Sequence, residues 1–539
     1  MPAIGARAGS CTITWPSAVR AAAFSLGASD MSLMGVDVGT TGVKAVVFST
    51  DGVLLTSAYA EYDIRRPAPG WAELDSREVW GKCRQVMAQA AAQTHRDPVQ
   101  AISFSSMGEA MIPVTRDRRI LGPSINPNFD LRGQAYLAGL SDSLDRVRLY
   151  NINGNTLGVI YSLFPLKWLK EHRSELYRQT DYFLLWGSFL PFMMGAEPHV
   201  DYSLANRTLL FDLERADWSD ELLGWAGLDR DKLPPPVPSA QVVGRLSQQM
   251  AAELGLPAGI PLVSGAHDQC ANAVGCGVIA EGLAVLGMGT FVTLTPVFSH
   301  RIPAELMLAR GLNTEHHAVP GLFVCFLYNL GGALVKWYRD TFAQAEHRRA
   351  QEEGRDIYSD LFAEMPEGPS PLLVLPHFGP TGPPEFIVDT RGVIVGLQLD
   401  TPRAAVLKAI IEGIAFYLKE ILDDLPPTGI RVEELRATGG GARSDAWLQV
   451  VSDIMGMPVT RPQVTESSAL GAAIMAGVGC GAFGSFEEGV AAMAGLERTF
   501  EPDAAQHRRY LDRYAFYRRL WPLMRSFLQD YARGQASDD

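Results

Sequence analysis

One local pattern occurs twice, and it constrains the fold more than any other feature. Met34 to Ser49 (MGVDVGTTGVKAVVFS) reads as an apolar strand, a glycine-threonine turn and a second apolar strand. The Asp51-Gly52 turn then leads into a third strand, Val53 to Tyr59. Gly282 to Thr295 (GLAVLGMGTFVTLT) repeats the order of strand, turn and strand. A chain of 539 residues is too long for one ordinary core. The repeat therefore predicts two related α/β domains with a cleft between them, residues 32–277 and 278–539, divided near Gly277. Residues 1–31 precede the first patterned strand and lack acids until Asp30, so they read as a disordered or mis-called extension. They show no clear h-region and cleavage pattern of a targeting peptide.

The rest alternates strand-like and helix-like runs, as α/β domains do. Ala101 to Ser105 reads as a buried strand, and Thr401-Pro402 as a helix start with threonine at the cap. That helix is expected to reach about Asp423, and Pro366 to Pro384 to be a Pro/Gly-rich connection. Tyr510, Tyr514, Tyr517, Trp521, Met524 and Phe527 recur at three- and four-residue intervals, the spacing of one helix face. The arginines between them read as its solvated back. A net charge of −13, from 47 basic against 60 acidic residues, disfavours nucleic acid and anionic membrane as partners. The apolar run Tyr182 to Ala196 is too short for a membrane span and holds Pro191, so it is read as buried core. Six cysteines without CxxC or CxxH spacing suggest neither a zinc site nor disulfides, and hence a reducing cytoplasm.

Four segments carry residues suited to chemistry. Asp37 ends a strand and meets Gly39, Thr40 and Thr41 at once; such a turn offers N–H groups and hydroxyls to phosphate, and its acid can hold a cation's water shell. It is no Walker A loop, because Lys44 falls on the next strand. Gly289-Thr290 is the matching turn of the second half, and two such turns across a cleft could grip a polyphosphate from both sides. Gly439-Gly440-Gly441 precedes a helix from Asp445 to Met455 that Ser444 can cap; bare backbone there leaves room for a flat ring. Asp268 follows the apolar run Ile260 to Val263, where an acid could take a proton from an attacking hydroxyl. Each also has a plain structural use, as a hairpin turn, a glycine turn or a helix cap. His267 is read as packed rather than catalytic. The small residues of Ser468 to Ala473 allow a close helix contact.

In this order and at these separations, the segments resemble the FGGY carbohydrate kinases of the actin/sugar-kinase/Hsp70 superfamily, in texture the xylulokinase-like branch. The resemblance covers almost all of residues 33–530 and includes Gly70 to Asp75, Asp201 to Thr208, Gly332 to Tyr338, Glu412 to Phe416 and Gly439 to Ala473. It implies two ribonuclease-H-like (actin-like ATPase) domains flanking a central cleft. It also implies transfer of the γ-phosphoryl group of ATP, with Mg²⁺, to a hydroxyl of a sugar or polyol. By position, Asp268 falls at the catalytic base, Asp37 at the acid that organises magnesium, and Gly39, Thr40 and Thr41 at the first phosphate loop. Gly289 and Thr290 fall at the second loop, Gly331 and Gly332 in a nucleotide-contact segment, and Gly441 and Asp445 at the adenosine. The base is expected to have ordinary acidity and to be ionised at neutral pH.

For the acceptor, glycerol kinases carry an Arg-Glu pair and xylulokinases a Met-His pair where this chain has Gly108-Glu109. Glu109 is assigned to sugar hydroxyls, and Gly108 is expected to enlarge the pocket. The family's Trp-x-Asp-x-Arg pattern survives as Asp130 and Arg132, with Asn128 in place of tryptophan; these two are candidate substrate residues or a surface ion pair. A D-xylulose-like ketose is the expected substrate, with ribulose, gluconate, glycerol or erythritol types as alternatives and a homodimer left open. The competing classes are an actin- or Hsp70-like ATPase without a small acceptor and a sugar-sensing pseudo-kinase.

Overall fold

The computed structural model describes residues 31–94 and 97–536, so residues 1–30 of the expected extension lie outside the described residues. Six strands form the first sheet: β1 (Ser32–Val38), β2 (Gly42–Ser49), β3 (Leu54–Glu61), β4 (Val99–Ser106), β5 (Val242–Arg245) and β6 (Pro261–His267). Their spatial order is β5-β6-β4-β1-β2-β3. The β1–β2 pair is an antiparallel hairpin, whereas β1, β4 and β6 run parallel. Both β1 and β4 are buried along nearly their whole length, which explains why they read as apolar runs rather than alternating strands. The register pairs Asp37 with Ser105 and Ser106 with His267, so the carboxyl ends of three strands meet at one edge. That edge is where open α/β sheets place ligands.

The second sheet contains β7 (Gly282–Met288), β8 (Phe291–Phe298), β9 (Glu315–His316), β10 (Phe323–Val324), β11 (Leu327–Leu330), β12 (Val432–Thr438), β13 (Val459–Pro462) and β14 (Leu496–Phe500). Its order is β9-β10-β8-β7-β12-β13-β14, with β11 also on β8. Again a hairpin, β7–β8, is flanked by two parallel neighbours, β12 and β13. The repeated sequence pattern is thus a repeated topology.

The helices that position the site are α1 (Ser76–Ala91), α2 (Asp268–Gly275), α3 (Gly332–Phe342), α4 (Arg403–Asp423), α5 (Asp445–Met455), α6 (Ser467–Cys480), α7 (Ala504–Tyr517) and α8 (Leu520–Ala536). Asp75 caps α1 through Arg77 N and Glu78 N, and Ser444 caps α5 through Trp447 N at 3.2 Å. The small-residue helix α6 lies against β1 and α2. A Cβ at Gly35 would stand 1.9 Å from the Ala469 carbonyl oxygen, and one at Gly471 1.8 Å from that of Ala271. One apolar cluster accordingly draws on both halves, with Leu33, Ala271, Val285 and Ala473 among its members.

Several local expectations are corrected. Thr401 does not cap α4; its hydroxyl accepts from Gln398 N at 2.8 Å, closing the preceding turn, and Pro402 is the cap residue. The connection Pro366 to Pro384 contains a short strand, Leu373–Leu375. The aromatic face near the C-terminus divides between two helices. Tyr510, Tyr514 and Tyr517 are buried on α7, but the break at Arg518-Arg519 turns α8, leaving Phe527 62% exposed and burying Leu528 and Ala532 instead. The run Tyr182 to Ala196 is buried core as expected, a strand Tyr182–Leu185 followed by a helix Trp186–Met194 containing Pro191. Among the described residues no helix is long and apolar enough to cross a membrane, and five cysteines are free thiols.

Candidate active site

The first turn is held from outside the hairpin. Gly39 N donates to Gly42 O at 2.9 Å, and Tyr62 Oη donates to Gly39 O, leaving Thr41 exposed at the tip. Asp37, at the end of β1, accepts from Ser105 Oγ on β4 at 2.6 Å. Desolvation in the cleft, offset in part by Ser105 and then Lys44, lifts its carboxyl to about 6. Lys44, the register partner of Asp37 on β2, is ion-paired with Glu466 of the second half.

Asp268 opens α2 directly after β6. Desolvation, then the charges of Asp37 and Glu109, lift its carboxyl to about 7. The expectation of ordinary acidity is therefore corrected: the acids Asp37 and Glu109 converge on Asp268 at the sheet edge, and their charges disfavour its own. His267 Nε2 lies 3.2 Å from Asp268 Oδ1, and its ring packs on Phe326. Burial, then the charge of Arg207, pushes His267 well below its ordinary range, so it is a neutral packed histidine at pH 7, as expected.

Glu109 is buried with φ +62°, a left-handed backbone that turns its side chain inward. It accepts from Asn128 Nδ2 at 3.3 Å and from Arg207, whose Nη1 donates to Glu315 Oε1 at 2.7 Å. Gly108 does not enlarge the pocket, because the vacant side-chain volume is taken by neighbours. A Cβ there would meet Arg207 Cγ at 2.9 Å and His267 Cδ2 at 3.3 Å.

Asp130 and Arg132 are buried, not a surface pair, and no hydrogen bond joins them to Glu109. Asp130 accepts from Ala72 N at 2.7 Å and from the backbone and guanidinium of Arg132. Arg132 also reaches Glu73 at 2.7 Å, its guanidinium carbon 4.1 Å from the Trp71 ring centroid and 4.8 Å from that of Trp168. Both brace the loop, while Asn128 from the same loop faces Glu109.

In the second half, Gly289 and Thr290 are exposed at the β7–β8 turn. Gly331 and Gly332 lock that turn from behind: Gly331 N donates to Thr290 O at 3.1 Å and Gly332 N to Gly289 O at 2.9 Å. A cavity of about 1420 Å³ is bounded by Gly289, Thr290, Gly332, Gly441, Tyr358 and Trp447. Gly441 keeps its wall flat, since a Cβ would fall 2.9 Å from the Trp447 ring. Asp445 stands at its edge, ion-paired with Arg461 at 2.7 Å and with Arg498. A smaller cavity of about 300 Å³ is bounded by Asp37, Gln269, Asn272 and Glu466 and shares Met288 and Gly289 with the larger one. The larger cavity and the acids thus lie on either side of the Met288-Gly289 turn.

The sequence reading missed Ser105, Arg207 and Glu315. An arginine inside the otherwise apolar or small run Ser203 to Leu210 was the one available signal for a buried cation.

Comparison with known proteins fits this geometry. Models of the N-terminal and C-terminal domains of the FGGY family of carbohydrate kinases match residues 32–275 and 284–480. An autoinducer-2 kinase of Escherichia coli K12 is 31% identical over 506 residues, covering 91% of this chain and 94% of its own length. A xylulose kinase of Bacillus subtilis strain 168 is 26% identical over 492 residues, covering 91% and 96%. The solved structure of a xyloylose kinase from Brucella ovis superposes with a TM-score of 0.81 at 25% identity, over 92% of this chain and 100% of that one. The chain belongs to the FGGY family of carbohydrate kinases and is an ATP-dependent sugar phosphotransferase.

Proposed function

We propose that the chain transfers the γ-phosphoryl group of ATP to a hydroxyl of a small polyhydroxylated ketone or polyol, a D-xylulose-type ketose first among them. The observation that carries this reading is Asp268, lifted to about 7 in the field of Asp37 and Glu109 at the edge where three parallel strands end. A base works best when its acidity lies near the working pH. Asp268 orients the acceptor hydroxyl and takes its proton as the new O–P bond forms and ADP leaves with the bond electrons. Glu109 and Asn128 receive the acceptor's other hydroxyls, and Asp130 and Arg132 brace the loop that carries Asn128.

Gly39, Thr40 and Thr41 hold the phosphates from one side and Gly289 and Thr290 from the other. Gly331 and Gly332 support the second turn. The ring of adenosine lies on Gly441 beside Trp447, and Asp445 stays at the edge. A carboxylate beside phosphate turns suits Mg²⁺, which keeps most of its waters and takes one or two acids, so Asp37 would hold it through that shell. When bound, the ion offsets charge on the phosphate oxygens. Closure of residues 32–277 on 278–539 would exclude water and limit ATP hydrolysis. Free thiols suit a reducing cytoplasm.

The relative at 31% identity is an autoinducer-2 kinase, and this chain lacks the Met-His pair expected of xylulokinases. Autoinducer-2 is therefore the second reading. A coupled ADP assay over pentuloses, polyols, sugar acids and autoinducer-2 tests both. Acceptor-dependent ADP release is expected; ATP turnover indifferent to every acceptor would sink the reading in favour of an actin-like ATPase.

A further inference from the structure

The acceptor region holds more acid than base, and its arginine is already committed. Arg207, which follows the short helix Tyr202–Asn206, forks between Glu109 after β4 and Glu315 on β9, so its bridge joins the two halves beside His267. Asn313 Nδ2 donates to the same Glu315 oxygen at 2.6 Å, while Glu315 Oε2 is buried without a hydrogen-bond partner. Nearby cations are likewise spent: Arg132 on Asp130 and Glu73, Lys44 on Glu466. His267 is neutral at pH 7 and adds no positive charge.

We infer that Glu315 is a specificity-determining positioning residue: it holds Arg207 against Glu109 and so denies that cation to an incoming carboxylate. The site takes uncharged ketoses and polyols and excludes sugar acids. This rests on the sugar-kinase reading of the same site. A hydroxyl can donate to Glu109 or Asp268 without adding charge. A carboxylate in its place meets like charge and gives up its hydration with no ion pair to offset the loss. Glu315 is buried and acts through Arg207 rather than touching the acceptor.

The test uses the full chain and pairs matched in carbon skeleton: D-xylulose and xylitol against D-xylonate, ribitol against D-ribonate. Each is titrated calorimetrically and assayed for phosphorylation. An uncharged member is expected to bind and react, and its acid to be at least about tenfold weaker in Kd and kcat/KM. Glu315→Gln, equal in shape but uncharged, loosens Arg207. Its acid-to-neutral ratio of kcat/KM should rise at least about tenfold, with the KM for ATP unchanged. A purely structural lesion would depress all acceptors alike.

Acids used by the unaltered chain as well as their neutral partners, or an unchanged ratio in the variant, overturn the inference and leave the kinase reading standing. Should the variant fail to fold, the wild-type pairs still decide the selectivity. Selective binding of uncharged members without any phosphorylation upholds the charge selectivity and overturns the proposed acceptor class. Binding of none overturns the inference and the ketose reading together, in favour of autoinducer-2.

Discussion

Ser105 Oγ donates a hydrogen bond to the Asp37 carboxylate at 2.6 Å, tying together the adjacent ends of β4 and β1. The bond counters part of the desolvation that lifts Asp37 to about 6. Ser105→Ala should leave that acid harder to ionise and less firmly oriented. A hydrogen bond to a charged group contributes about 1.5–3 kcal/mol, so the Mg²⁺ concentration for half-maximal rate should rise roughly tenfold or more. A Mg²⁺ titration of initial rates checks this, and an unshifted midpoint would take Asp37 out of its assigned role.

The acidity of Asp268 predicts a pH profile. Its proton must be lost before it can accept another, so kcat/KM should rise with pH up to about 7 and then level. Rates from pH 5 to pH 8 with a neutral acceptor measure it. A flat profile across that range contradicts the assignment.

Asp268→Asn removes the proposed base without adding bulk, and phosphorylation should fall by about 10²–10⁴-fold with ATP binding retained. The same change has a stability sign. The carboxyl rises from an ordinary 3.8 to about 7 on folding, so its contribution is fully present below 3.8 and is lost as pH rises through 7. The asparagine has no such loss. The variant's melting temperature relative to the parent should therefore increase from pH 5 to pH 8, by a few degrees on the scale of about 2–4 °C per kcal/mol.

Gly441→Val places a side chain where a Cβ alone would stand 2.9 Å from Trp447 and 3.0 Å from Met288 Cβ. The KM for ATP should rise about tenfold while acceptor binding, read by titration, stays the same. Equal losses for both ligands would show that the cavity does not hold the nucleotide.

Gly471→Ala tests the contact between α6 and α2, where a Cβ would sit 1.8 Å from a backbone carbonyl that cannot rotate away. Overpacking of this kind costs about 1–3 kcal/mol. Thermal unfolding should shift down accordingly, and an unchanged melting temperature would mean that the helices part freely there.

Much of this protein was legible locally. Strand-turn-strand order, glycine at close approaches, Ser444 as a helix cap and the acid at the end of β6 depend on neighbours a few residues apart, and adjacent residues specify them. Even the paired sheets follow from one local pattern written twice. Thr401 and the aromatic run after Tyr510 misled because a hydroxyl can close a turn as readily as cap a helix, and because spacing continues across a helix break that rotates the face.

Tertiary structure decided the charges. Arg207 and Glu315 are 108 residues apart, and nothing near either one announces the other. The acidity of Asp268 depends on lost water and on Asp37 and Glu109, brought close only when separate strands end at one edge. Local sequence sets backbone conformation, because that is governed by short-range sterics and hydrogen bonds. Desolvation and Coulomb interaction act through space, so the acid's strength and the arginine's partners exist only in the folded chain.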